Sequence, residues 1–395
     1  MEGVLVTGMG IVTSLGLDVQ SNLEGLRAGN SGIGQAQFFE SIYTQTLPFA
    51  EVPISSDALS EMLEKFQGHT RTCLLAEKAF REAILQAKLT ARDLSSVDTA
   101  FVSASTVGGM CITDQLYADA NLQSQGSSFL DSYSGSAHAL RIIEAYKMSG
   151  YSNTLNTACS SSANAIMMGM RLIQSGRAKR AIVGGVDSLA KYTVNGFNAL
   201  KILSSQPTRP FDLDRDGLNL GEGAAYLVLE AESEVEHKPI YGRVAGYGNA
   251  NDAYHPSAMS DQAVGAQATM LGALRMAHIH PDQIDYINTH GTGTINNDAV
   301  ELFAMQQVFH KLPYFSSTKS FTGHTLGASG AIEAIYCFLS LQHQEIYPNL
   351  HVRNPLPGSE NALVTTLLHQ PEMNWMLSNS FGFGGNCTSL LLGKA

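Results

Sequence analysis

Apolar residues along this chain follow two rhythms, and each change of rhythm marks an element. Val4-Leu5-Val6 is a short apolar run that opens into Gly8-Met9-Gly10, and Ile284-Asp285-Tyr286-Ile287-Asn288-Thr289 alternates with period two. Both read as strands. After Cys159 the period changes: Ala163, Ile166, Met167, Met170 and Ile173 share one helical stripe, and Gly176 stands where a C-terminal cap belongs. A second helix is expected after His324, where Ala331, Ile332, Ala334, Ile335, Tyr336, Phe338 and Leu339 leave hardly any polar face. A helix apolar all round must be covered on every side.

These elements recur in the same order. Val4–Gly10 and Ile240–Gly248 are each a strand opening into glycines. In each half a strand then meets a small-residue helix, with Cys159 at the start of one and His324 before the other. Each half closes with a glycine-rich turn into an apolar strand, Gly221–Leu229 and then Gly382–Leu392. The expected division is 1–232 and 233–395, with helices buried between two sheets in an α/β/α/β/α stack.

Against that frame Cys159 stands out. Asn156-Thr157-Ala158-Cys159-Ser160-Ser161-Ser162 places a thiol at a helix start among tiny residues. Backbone N–H groups there favour thiolate over thiol, and small neighbours let a carbonyl approach. Two histidines follow short strands and lie among glycines: His290 before Gly291-Thr292-Gly293-Thr294, and His324 after Lys319 in Gly323-His324-Thr325. A thiol nucleophile with two imidazole donors suits acyl transfer through an oxyanion or enolate.

Other chemistries drop out. Asp212-Leu213-Asp214-Arg215-Asp216-Gly217 opens like a calcium loop, but its twelfth position is Gly223 where a bidentate glutamate is needed. Gly8-Met9-Gly10 lacks the third glycine of a dinucleotide fingerprint, and no His/Cys spacing resembles a zinc site. No metal and no tightly bound cofactor are expected. Five cysteines with no CxxC pair, no secretory leader and no long apolar run point to a cytoplasmic protein. A net charge of −11 argues against nucleic acid as a partner.

The cluster of motifs resembles the β-ketoacyl-acyl-carrier-protein synthases of the elongating type. Its carriers are Cys159 with its serines, His290-Gly-Thr-Gly-Thr294, Lys319 with Gly323-His324, Arg209–Gly217, Gly221–Gly223 and Asn379–Gly385. The resemblance spans nearly the whole chain, and two histidines separate it from the initiating branch, which pairs one histidine with an asparagine. It implies a thiolase-like fold and decarboxylative Claisen condensation of an acyl group on Cys159 with a malonyl-carrier thioester. It implies an acyl carrier protein that brings its own phosphopantetheine, and a homodimer or a heterodimer with a paralogous subunit.

Roles carried over from the resemblance are as follows. Cys159 is the nucleophile, and its backbone N–H with that of Phe383 forms the oxyanion hole. His290 and His324 donate to the thioester oxygen, and Lys319 pairs with Glu301. Thr292 and Thr294 contact pantetheine, Phe383 acts as a gate, and Phe197 and Val107 line the acyl site. Lys201 and Lys65 are docking candidates for the acidic carrier. Val107, smaller than an isoleucine, is expected to admit a longer or stiffer chain, as in aryl polyene synthesis. Asn386-Cys387 departs from the family's usual Thr-Asn. Two alternatives stay open: a thiolase acting on coenzyme A esters, and a non-catalytic subunit resembling a chain-length factor.

Overall fold

The computed structural model describes residues 2–64, 69–122, 124–127 and 130–395. Twelve strands are found among them. The first half holds β1 (Val4–Val12), β2 (Thr99–Ala104), β3 (Ser152–Leu155), β4 (Arg180–Asp187) and β5 (Gly223–Ala231). The second holds β6 (Gly242–Asn251), β7 (Tyr286–Asn288), β8 (Tyr314–Ser316), β9 (Glu345–Ile346), β10 (Leu368–His369), β11 (Trp375–Phe381) and β12 (Asn386–Gly393). β9 and β10 make a small separate ladder.

The other ten strands form one ladder in the order β3-β2-β4-β5-β1-β6-β12-β11-β7-β8. Its two sets of five repeat each other in pairing as well as in order. β1 runs antiparallel to β5 and β5 to β4, after which β4, β2 and β3 are parallel. In the second set β6 is antiparallel to β12 and β12 to β11, after which β11, β7 and β8 are parallel. The sets meet only where Leu5 and Val6 face Arg243 and Gly242.

Period two along these strands separates an inner core from two outer ones. On β5, Ala225, Leu227 and Leu229 join the central cluster, while Ala224, Tyr226 and Val228 pack outward with helix Arg71–Gln86. On β12, Leu390 and Leu392 face the centre, whereas Cys387 and Leu391 face helix Val264–Ala277. The central layer consists of helix Ser161–Gln174 and helix Ser329–His343, which pack on each other and on both strand sets. Five layers result, as expected for a thiolase-like fold. In helix Ser329–His343 every side chain from Ser329 to Leu341 is buried, which explains its missing polar face.

Two local expectations can be compared directly. Helix Ser161–Gln174 ends just before Gly176, whose φ of 70° is the left-handed conformation that a C-terminal cap requires. His324 does not sit at a strand end in the manner of His290. β8 stops at Ser316, and a buried helical turn, Lys319–Thr322, comes between. His324 is instead fixed by backbone pairing with the Asn219–Gly221 segment, donating to the Asn219 carbonyl at 2.8 Å and accepting from the Gly221 N–H at 3.0 Å.

Candidate active site

Cys159 sits on a sharp turn. Ala158, just before it, has φ 53°, a conformation costly for any residue with a Cβ. Ser161 holds the turn from inside: its Oγ accepts from the Thr157 N–H at 2.8 Å and donates to the Ala158 carbonyl. Across from it, a Cβ on Gly382 would lie 2.7 Å from the Thr157 carbonyl oxygen, so only glycine lets the C-terminal loop come this close. Behind the turn, Asn386 Oδ1 accepts from Ser160 Oγ at 2.7 Å and from Asn164 Nδ2 at 2.9 Å. The Asn386 departure therefore falls in the support of the nucleophile turn, while Cys387 is a buried packed thiol whose pKa burial pushes up to about 12.

The three sequence candidates converge here. His324 Nε2 lies 3.1 Å from Cys159 Sγ, and the His290 and His324 rings stand nearly perpendicular with centroids 5.4 Å apart. All three side chains are buried. The His324 tautomer follows from its second nitrogen. The Leu326 N–H donates to Nδ1 at 3.1 Å, so in the neutral ring the proton resides on Nε2. His324 is thereby set to donate toward the sulfur and whatever is attached to it. Burial, followed by the positive charge of Lys319, holds the pKa of both histidines well below the ordinary value, and that of His290 is lowered further by His324.

The thiol itself differs from the sequence expectation. The helix-start position was expected to favour thiolate, yet burial dominates and pushes the Cys159 pKa up to about 11. Lys319 and the backbone N–H groups of Phe383 and Cys159 pull the other way without overcoming it. Both shifts favour a neutral thiol beside a neutral imidazole. A sulfur and two ring nitrogens within 4.8 Å of one another are also a set of metal donors, formed by residues remote in sequence. Spacing in the chain could not have indicated it.

The expected Lys319–Glu301 pair is not formed. Lys319 Nζ bonds Glu333 Oε1 instead, and both residues are fully enclosed. Glu301 accepts from the backbone N–H groups of His290 and Gly291, each at 2.8 Å, and from Asn379 Nδ2 at 3.2 Å. It still fixes the loop that carries His290, but by gripping its backbone. Burial raises the pKa of both glutamates to about 7.

Two cavities meet at Cys159. One, about 280 Å³, is lined by Thr292, Thr294, Lys201, His255, His290 and His324 among others. The second, about 440 Å³, is lined by Val107, Met110, Tyr192, Leu200 and Leu326 among others. Among the described residues, only Cys159, Phe197 and Phe383 border both. The two phenylalanine rings stack at 5.7 Å with planes 13° apart, forming the wall between the cavities. Thr292 and Thr294 bond each other through their hydroxyls at 2.8 Å. Lys65 lies outside the described residues.

Asp187 was missed in the sequence. Its buried carboxylate accepts from Ser105 Oγ, from the N–H groups of Thr106, Val107 and Gly327, and from Thr106 Oγ1. It thus ties the Val107 loop to the segment after His324. A lone aspartate at a strand end carries no local signal for such a role.

Fold and site together define a condensing enzyme, and comparison with known proteins agrees. The N-terminal and C-terminal domain models of beta-ketoacyl synthase match residues 1–235 and 241–353. The chain belongs to the beta-ketoacyl synthase family. It is 32% identical to 3-oxoacyl-[acyl-carrier-protein] synthase 2 of Synechocystis sp., covering 99% of this chain and 98% of that protein. Identity to the Rhizobium meliloti protein of the same name is 33%, covering 99% of each. Among solved structures, a ketosynthase (ApeO) in complex with its chain length factor (ApeC) from Xenorhabdus doucetiae matches with a TM-score of 0.86 and 32% identity. That match covers 100% of this chain and 98% of the other.

Proposed function

We propose that this chain is a β-ketoacyl-acyl-carrier-protein synthase of fatty acid or polyketide synthesis, with Cys159 as its acylated residue. The observation that carries the reading is a thiol at the junction of two cavities, 3.1 Å from an imidazole nitrogen whose tautomer makes it a donor. In the first half-reaction Cys159 sulfur attacks the carrier's thioester, and the phosphopantetheine thiol leaves with a proton. The N–H groups of Cys159 and Phe383 hold the developing oxyanion, each worth about 3 kcal/mol in such settings. The acyl chain then lies in the cavity beyond Phe383, past Val107.

In the second half-reaction a malonyl-carrier thioester enters by the cavity of Thr292 and Thr294. His290 and His324 donate to its thioester oxygen as the carbon–carbon bond to the carboxylate breaks and carbon dioxide leaves. The resulting enolate carbon attacks the acyl-cysteine carbonyl. The Cys159–acyl bond breaks, the thiolate so formed takes up a proton from solvent, and a β-ketoacyl-carrier product two carbons longer departs. Burial first, and then the positive charge of Lys319 paired with Glu333, keeps both imidazoles neutral donors.

The acyl carrier protein brings the only cofactor in this scheme, its phosphopantetheine, and Lys201 at the cavity mouth is its docking residue. We read the chain as two halves, 1–232 and 233–395, on the strength of the repeated strand pairing. Five unpaired cysteines support cytoplasmic residence. Assembly as a homodimer, or with a chain-length-factor-like subunit, fits the ketosynthase pairing named for the Xenorhabdus structure.

The test is intact-mass spectrometry of wild type and Cys159→Ala after exposure to acyl-carrier thioesters, followed by malonyl-carrier thioester. A wild-type adduct that malonyl-carrier discharges, absent from the variant, supports condensation. No adduct with any donor in folded protein supports the non-catalytic subunit.

A further inference from the structure

Asn386 opens β12 behind Cys159, and its side chain closes a ring of hydrogen bonds around the nucleophile turn. Asn164 Nδ2 donates to Thr157 Oγ1 at 2.8 Å, and the Thr157 and Ser160 hydroxyls lie 3.1 Å apart. Ser160 Oγ then donates to Asn386 Oδ1 at 2.7 Å, sharing its proton with the Thr157 carbonyl at 2.8 Å. Asn164 Nδ2 gives its second proton to the same Oδ1 at 2.9 Å. One proton per hydroxyl suffices when Thr157 donates to Ser160 and Ser160 to Asn386. Both arms of the ring therefore end on one acceptor. Asn164 cannot turn away from it, because its own Oδ1 accepts from Asn249 Nδ2 at 3.0 Å and Thr388 Oγ1 at 2.8 Å.

The ring brackets the nucleophile, since Thr157 and Ser160 flank Ala158 and Cys159 in the chain. The main chain of Asn386 acts on the facing loop. Its carbonyl accepts from the Gly382 N–H at 2.8 Å, and the Gly385 N–H donates to the Gly382 carbonyl at 3.1 Å. Those two bonds close the loop that carries Phe383. One residue thus holds both the turn that presents the Cys159 N–H and the loop that presents the Phe383 N–H. A second tie between turn and loop runs from the Phe383 N–H to the Cys159 sulfur. That tie ends on the atom that reacts, whereas the bond through Ser160 is untouched by the reaction.

We infer that Asn386 is a positioning residue that sets the separation of the two oxyanion-hole N–H groups, through Ser160 on one side and Gly382 on the other. This rests on the reading of Cys159 and Phe383 as the oxyanion hole. Donors of this kind act only when aimed at the place where charge develops, so a small displacement weakens them. The role also determines which reactions of Cys159 feel the residue. Attack on a thioester builds negative charge on the carbonyl oxygen. Attack on iodoacetamide displaces iodide from a tetrahedral carbon and builds no such charge.

The experiment measures two rates at Cys159 by peptide mass mapping, with each protein in its native assembly. One is acylation by saturating hexanoyl carrier thioester, and the other is alkylation by iodoacetamide. In Asn386→Ala acylation is expected to slow about tenfold to a hundredfold, with alkylation within about twofold of wild type. Ser160→Ala, which trims one hydroxyl, is expected to show the same split. The double variant should be no slower than the slower single one, because all three lose the same bond. Should Asn386→Ala not fold, the split in Ser160→Ala decides alone. Three results overturn the inference and leave the condensing reading intact: unchanged acylation, equal slowing of both reactions, or single effects that multiply in the double variant. No wild-type adduct with any donor overturns both.

Discussion

At the scale of single residues, the neutrality of the Cys159–His324 pair is the property most open to measurement. With the thiol pushed up to about 11, only a small fraction is thiolate near neutrality. Alkylation of Cys159 by iodoacetamide, followed by mass mapping, should therefore speed up about tenfold per pH unit from pH 6 to 9, since thiolate fraction rises that way below the pKa. A plateau near pH 7 would mean that a preformed thiolate–imidazolium pair rests in the site. Lys319 and Glu333 present the opposite case, a charge pair with no access to water. Glu333→Ala should cost about 3–5 kcal/mol in denaturant unfolding, because it strands a buried ammonium. Restoring neutrality with Lys319→Met in the same chain should recover much of that loss while leaving condensation slowed, since burial still lowers the pKa of both imidazoles but the further lowering by the Lys319 charge is gone. Cys159, His290 and His324 were legible because each lies in its own small-residue loop. The partner of Lys319 was not, because Glu301 and Glu333 both lie on helices just after a motif histidine, and only packing chooses between them.

Among elements, the decisive contact is that between helix Ser161–Gln174 and helix Ser329–His343. They approach so closely that a Cβ on Gly330 would stand 2.8 Å from both the backbone nitrogen and the Cβ of Ala163. The first helix begins just past Cys159 and the second just past His324, so this approach sets the distance between sulfur and ring. Gly330→Val should push the two apart, costing about 1–3 kcal/mol by overpacking. It should also slow acylation in the fraction that stays folded. Thermal unfolding alongside adduct formation separates the two effects: wild-type acylation rates would show that the helix approach does not set the site geometry. The helices themselves were readable from period and from the absence of a polar face. Their closeness was not, because a glycine in a small-residue helix gives no hint of which backbone it admits.

For the whole molecule, the repeated halves leave two unlike edges. At β8 the edge is closed by the chain itself: the Phe315 N–H donates to the Ala362 carbonyl, and the Val364 N–H donates back to Phe315. Among the described residues none covers β3 in this way, and Ser152 and Asn153 are exposed. Phe101 and Ser105 of the β2 side donate to the carbonyls of Tyr151 and Leu155. By the alternation of a parallel ladder, Ser152 and Thr154 then turn their backbone groups outward. The Thr154 N–H is held meanwhile by Asn153 Oδ1 at 2.8 Å, a side-chain contact that a partner strand can replace, and an uncharged edge of this kind is a template for another strand. The expected partner is β3 of a second protomer, which would continue the ladder from one molecule into the next. Light scattering should give twice the 42.3 kDa mass of one chain. Thr154→Pro removes an outward N–H and leaves the bonds to β2 in place, so it should shift the mass toward a single chain while the molecule stays folded. A variant that remains dimeric, or a wild type that is monomeric at micromolar concentration, would place assembly elsewhere on the surface. The strand repeat that exposes this edge was legible in outline from the recurring glycine-to-strand pattern. The difference between the two edges was not, because Ala362–Val364 reaches β8 from outside any element that the sequence rhythm marks.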